Sequence, residues 1–173
     1  PLGLVHRDLS PHNLMLGFDG QVKVLDFGVA KMREQRTVTL PGIVKGKPLY
    51  MSPEQACAEP IDRRSDIFSM GLILYEALMG ERAFDKKDDT KTMQAIVNDP
   101  ISRPDKMSPE WWRIVSTALA KQPESRYQQA RDMADAIREL VEPMARPQLG
   151  QFVTARFPKA VRETELWVQT RGE

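Results

Sequence analysis

Cysteine is nearly absent. Cys57 stands alone in 173 residues, which rules out an internal disulfide framework and fits a reducing compartment. It lies four residues after Pro53 in a loop-like stretch and reads as a structural thiol. Long apolar runs are missing as well. No stretch approaches the roughly 20 apolar residues of a membrane-spanning helix, and no signal peptide opens the sequence. Neither sign of charge dominates, since 25 Lys and Arg against 24 Asp and Glu leave a net +1. That balance gives no pull toward nucleic acid or anionic lipid, and a cytoplasmic protein is the expectation. What remains, 41% hydrophobic and 28% charged, is ordinary for a globular chain long enough for one domain.

The densest chemistry is His6-Arg7-Asp8-Leu9-Ser10-Pro11-His12-Asn13, followed by Asp26-Phe27-Gly28. Between them, Leu14-Met15-Leu16 and Val22-Lys23-Val24-Leu25 alternate like strands, and Asp19-Gly20 is a tight-turn pair. This pattern predicts a β-hairpin that returns the chain from Asn13 to Asp26.

H-R-D-x-x-x-x-N and D-F-G at this spacing resemble the protein-kinase superfamily, and in particular bacterial kinases of the eukaryotic type. The resemblance covers residues 4–141. It implies an α+β fold that is mainly the α-helical C-terminal lobe, with a short β-hairpin at the active site. It also implies phosphorylation of serine or threonine on a protein substrate, with ATP and Mg²⁺ as cofactors. Asp8 would accept the hydroxyl proton, while Asn13 and Asp26 would supply oxygen ligands to Mg²⁺. His6 would pack against Phe27. Met15 would form part of the floor beneath adenine, or else be plain strand core. Arg7 would sense an activation-loop phosphate, because a guanidinium pairs bidentately with phosphate.

From Asp26 to Glu54 the resemblance implies an activation segment. Residues 31–39 are polar and carry no apolar period, as in a loop. Thr37 and Thr39 are candidate phosphosites, or simply solvated threonines. Tyr50-Met51-Ser52-Pro53-Glu54 resembles the closing motif, with serine for the usual alanine, and Glu54 would be buried against Arg126. Two departures occur together. Ser10 stands where the family usually has lysine, and Lys47 where it has threonine. Either the pair is exchanged and Lys47 brings its ammonium to the γ-phosphate, or the site is that of a weak kinase or pseudokinase.

Helices dominate the rest. Residues 67–79 are apolar almost all round, which predicts a buried central helix, with Ser65 as a candidate cap and Gly80 as its end. Asp66 would hold the catalytic-loop backbone by resemblance, or serve only the helix dipole. Three amphipathic helices are predicted next, on Met93, Ile96 and Val97, then on Trp111, Ile114, Val115, Ala118 and Leu119, then on Ala130, Met133, Ala134, Ile137, Leu140 and Val141. Ser108-Pro109 opens the second as a cap with proline at the first helical position. Trp111 and Trp112 read as packing residues. The domain is expected to span 1–142, with 143–173 a linker and tail. In that tail Leu149, Phe152, Val153 and Phe157 recur at helical spacing until Pro158, and a charged stretch follows.

Pro1 is not methionine, and only five residues precede His6. The sequence holds no G-x-G-x-x-G loop, strand lysine of a V-A-I-K motif or partner glutamate. The expectation is a fragment inactive by itself, with one face of the 67–79 helix uncovered and open to aggregation or a partner. Aminoglycoside-type small-molecule kinases also use H-x-D, but Ser52-Pro53-Glu54 and Asp66 argue against that reading. A non-catalytic binding module is the alternative of a different class.

Overall fold

The computed structural model describes residues 4–26 and 48–171. Its chain contacts group into two compact units, Pro1–Asn13 with Asp26–Val141, and Leu14–Leu25 with Glu142–Glu173.

The first unit is built on helices α1 (Pro53–Ala56), α2 (Arg63–Met79), α3 (Asp89–Asn98), α4 (Pro109–Ala118) and α5 (Ala130–Leu140), with single 3-10 turns at Pro11–Asn13, Pro48–Tyr50 and Pro123–Ser125. Sequence chemistry explains most of the helix ends. Ser108 caps α4 through the Trp111 amide with Pro109 inside the first turn. Asp88 caps α3 in the same way through Lys91 at 2.8 Å. Gly80 closes α2 in the left-handed region, with its amide donating to the Glu76 carbonyl. The cap of α2 differs from expectation. Asp62 accepts from the Arg64 amide at 2.8 Å, so the helix starts two residues before Ser65. Ser65 instead points its hydroxyl into the interior.

Helix α2 is central because it is apolar on more than one face. Phe68, Leu72 and Tyr75 join Phe84, Ala95, Ile96, Met107, Val115 and Leu119 in one cluster. Ile67 turns the other way, onto Ile114, Ala118 and Met133. Helix α4 therefore feeds both clusters. It passes α2 so closely that a side chain at Gly71 would meet Ala118 and Leu119. The uncovered apolar face expected on α2 is not found. Met70, Ile73, Leu74, Leu78 and Met79 are all at least half-buried. Among the described residues the exposed large apolar side chains lie elsewhere, at Leu4, on the hairpin (Met15, Leu16, Val22, Val24), at Val141 and Met144, and near the C-terminus (Phe152, Phe157, Leu166, Trp167). Helix periodicity was right about direction and loose about depth. In α3 the fully buried residues are Thr92, Ala95 and Ile96, with Met93 and Val97 half-buried. In α5, Met133 is buried while Ala130 and Val141 are exposed.

The second unit pairs strands β1 (Leu14–Leu16) and β2 (Val22–Val24) antiparallel, in the register Leu14 with Val24 and Leu16 with Val22. Gly20 takes the turn at φ 75°, and its amide donates to the Gly17 carbonyl at 2.9 Å. Two helices complete the unit, α6 (Arg146–Arg156) and α7 (Pro158–Arg171). The sequence foresaw a helix up to Pro158 but not α7, whose charged residues hid its periodicity. Within α6, Val153 is buried and Leu149 half-buried, whereas Phe152 and Phe157 point to solvent. The hairpin groups by contacts with the C-terminal segment, and its turn packs backbone to backbone on α6.

Candidate active site

The segment from His6 to Asn13 folds as a bend at Arg7 leading into the 3-10 turn Pro11–Asn13. Arg7 has φ 68°, a left-handed conformation costly for a residue with a side chain. Three hydrogen bonds hold it there. The amides of His6 and Arg7 donate to the two carboxylate oxygens of Asp66 at 2.8 and 2.9 Å. The Arg7 carbonyl accepts from Gln55 Nε2 at 2.8 Å. Asp66 lies in the first turn of α2, where a carboxylate is also favoured by the helix dipole.

The turn itself is closed by its own residues. The Asp8 amide donates to His6 Nδ1 at 3.3 Å, and His6 is buried. Asn13 Nδ2 donates to the Asp8 carbonyl at 2.7 Å, while the Asn13 amide donates to the Ser10 carbonyl at 3.0 Å. Leu9 anchors the loop in the interior. Asp8, Ser10 and Asn13 are thus drawn together into one turn, each half-buried. Asp26 is exposed and, like Arg7, takes positive φ, at 53°. Met15 is half exposed rather than packed strand core. Phe27, Thr37, Thr39 and Lys47 lie outside the described residues.

Beneath the loop sits a buried ion pair. Arg126 meets Glu54 bidentately, Nη1 to Oε1 at 2.7 Å and Nη2 to Oε2 at 2.8 Å. The remaining guanidinium donors reach the carbonyls of Ala120, Arg64 and Lys121, so all five N–H groups are used. The Ser65 hydroxyl adds a third bond to Glu54 at 2.5 Å. Burial alone would raise the Glu54 pKa. The hydrogen bonds from Arg126 and Ser65 outweigh it and hold the carboxyl below its ordinary value.

Gln55 had no role in the sequence reading. It forms a capping box with Ser52, whose amide donates to Gln55 Oε1 at 2.9 Å, and spends its amino group on Arg7. The spacing S-x-x-Q was the signal that could have exposed the first half of this arrangement.

Residues 2–139 match the family model described as a protein kinase domain. The chain belongs to the protein kinase family. Among curated kinases it is 42% identical over 165 residues to the tyrosine-protein kinase MasK of Myxococcus xanthus, covering 91% of this chain and 26% of that protein. To the serine/threonine-protein kinase PknB of Mycobacterium leprae it is 42% identical over 142 residues, covering 79% of this chain and 23% of PknB. A probable serine/threonine-protein kinase of Clostridium acetobutylicum is 35% identical over 139 residues, covering 78% of this chain and 21% of that protein. The chain therefore spans about a quarter of the length of the curated kinases it matches. Among its described residues no group of three or more His, Cys, Asp or Glu is gathered as a metal site, and no helix is long and apolar enough to cross a membrane.

Proposed function

We propose that this chain carries the catalytic loop of a cytoplasmic kinase that transfers the γ-phosphoryl group of ATP to a serine or threonine hydroxyl of a protein. The observation that supports it best is the Asp8–Asn13 turn, held through Arg7 by Asp66 and Gln55. A general base must be held steady, and this loop is pinned from two separate helices. Asp8 takes the proton as the acceptor oxygen bonds to the γ-phosphorus. The bond from that phosphorus to the bridging oxygen breaks, and ADP leaves with the electron pair.

Mg²⁺ suits the residues available. Asn13 has committed Nδ2 to the Asp8 carbonyl, which leaves its amide oxygen as the ligand atom, and Asp26 offers a carboxylate. Two hard oxygen donors, with phosphates and water completing the shell, are the usual protein share for this ion. When bound, it neutralises charge on the phosphates. Lys47 is assigned to the γ-phosphate, and Arg7 to phosphorylated Thr37 or Thr39. The choice of serine or threonine over tyrosine follows Ser10-Pro11 and Lys45-Gly46-Lys47. Phosphoamino-acid analysis of the product tests it directly, with phosphotyrosine alone overturning it.

The primary experiment is Mg·ATP calorimetry on this chain and on the chain extended upstream by a glycine-loop lobe. Binding by the extended form, followed by transfer that Asp8→Asn abolishes, is the expected result. Absence of binding in both forms favours a non-catalytic module, for which Ser10 in place of lysine is the supporting feature. Lys47→Ala in the extended form is expected to slow transfer severely and Lys47→Arg less so. An unchanged rate for Lys47→Ala ends the exchanged-lysine assignment.

A further inference from the structure

Helix α6 and the turn of the hairpin approach each other closer than side chains allow. A Cβ placed on Gly20 would lie 1.9 Å from the Arg146 carbonyl oxygen and 2.8 Å from the Gly150 nitrogen. A Cβ on Gly150 would lie 2.7 Å from the Phe18 carbonyl oxygen and 3.0 Å from the Asp19 carbonyl carbon. All four neighbours are backbone atoms, which cannot swing aside. Gly150 also sits in the middle of α6, where alanine favours the helix more. Around this contact, Arg146 pairs with the Asp19 carboxylate and donates from Nε to the Asp19 carbonyl at 3.3 Å.

The hairpin itself is short and largely exposed. Its strands are three residues each, and Met15, Leu16, Val22 and Val24 are exposed. A lone two-stranded ribbon of that size is marginal in water. Its two ends continue directly into Asn13 on one side and, through Leu25, into Asp26 on the other.

We propose that α6 is a clamp on the hairpin turn, and that Gly20 and Gly150 are positioning residues for Asn13 and Asp26. The segment after the catalytic lobe thereby sets the metal-binding geometry by fixing the ribbon strung between the two ligands. The clamp stands on the contacts between α6 and the turn, while its effect on Asn13 and Asp26 rests on the kinase reading above.

Hydrogen exchange on the 173-residue chain tests the clamp without any activity. Gly150→Ala is the decisive variant, because alanine strengthens an isolated helix and weakens only the close approach. Protection of the amides of residues 14–24 is expected to fall about tenfold, while that of α2 and α4 stays unchanged. Undiminished hairpin protection in Gly150→Ala overturns the clamp. A loss spread equally over α2 and α4 overturns it too, since that is general destabilisation. Gly20→Ala should reproduce the effect from the other side. In the extended, active form, Gly150→Ala is expected to raise the Mg²⁺ concentration for half-maximal activity about tenfold, with the rate recovering at saturating Mg²⁺. An unshifted Mg²⁺ requirement overturns the positioning role. An extended wild type that fails to bind Mg·ATP overturns the kinase reading and leaves the exchange result standing.

Discussion

Arg126 and Glu54, 72 residues apart in sequence, meet through two parallel hydrogen bonds with both side chains at most 5% exposed. A bidentate guanidinium–carboxylate pair removed from water is costly to break, since losing either partner leaves a buried charge behind. The pair ties α1 to the turn before α5 and, through Ser65, to α2.

Arg126→Ala should therefore cost about 3–5 kcal/mol, because it leaves a buried carboxylate without its cation. Arg126→Lys should recover only part, since an ammonium cannot reproduce five directed donors. Urea unfolding of both variants against the parent chain gives the numbers. A loss below about 1 kcal/mol for Arg126→Ala would match an exposed pair instead and contradict the burial.

The same pair sets a pH dependence with a definite sign. Glu54 has a pKa below its ordinary value of 4.5 in the folded chain, so the unfolded chain binds the proton more readily. Its contribution is fully present above that ordinary value and is lost as pH falls through the folded one. Glu54→Gln cannot titrate. The stability gap between parent and Glu54→Gln should be constant near neutrality and shrink below about pH 4.5. Unfolding curves at stepped pH would show it, and a gap that widens in acid would reverse the assignment.

Asp66→Asn keeps the shape of the side chain but turns one acceptor into a donor facing an amide. One of the His6 and Arg7 amides then loses its partner, at a cost of about 1–3 kcal/mol. Because the bend at Arg7 depends on these bonds, transfer by the extended form should fall more than stability does. Equal loss in folded fraction and in activity would reduce Asp66 to a fold residue.

Gln55 separates two jobs within one side chain. Gln55→Glu keeps the acceptor for the Ser52 amide but loses the donor to the Arg7 carbonyl, whereas Gln55→Ala loses both. The glutamate variant should keep α1 capped and still loosen the catalytic loop, giving a slower rate with stability within about 1 kcal/mol of the parent. A rate unchanged by Gln55→Glu would show that Asp66 alone holds the loop.

Features written in consecutive residues were legible. Ser108-Pro109, Gly80, the Asp19-Gly20 turn and the apolar stripes of α4 and α5 are local chemistry, decided within one or two turns of chain. The H-R-D-x-x-x-x-N and D-F-G spacing was enough to place the chain among kinases. The failures have a common physical cause. Ser65 is a fair cap by composition, but Asp62, three residues earlier, accepts from the Arg64 amide, and Glu54 claimed the hydroxyl. Phe152 and Phe157 share a helical period with Val153, yet only packing decides which side of α6 meets protein.

What the sequence by itself determined is the family and the order in which its motif residues arrive. Their support was decided by tertiary structure alone. Gln55 reaches Arg7 across 48 residues, and Gly150 meets the hairpin turn 130 positions from Gly20. Neither pair has a period or a motif joining its members. Hydrogen bonds and close approach are set by where folded backbones come to lie, and that depends on the packing of the whole chain.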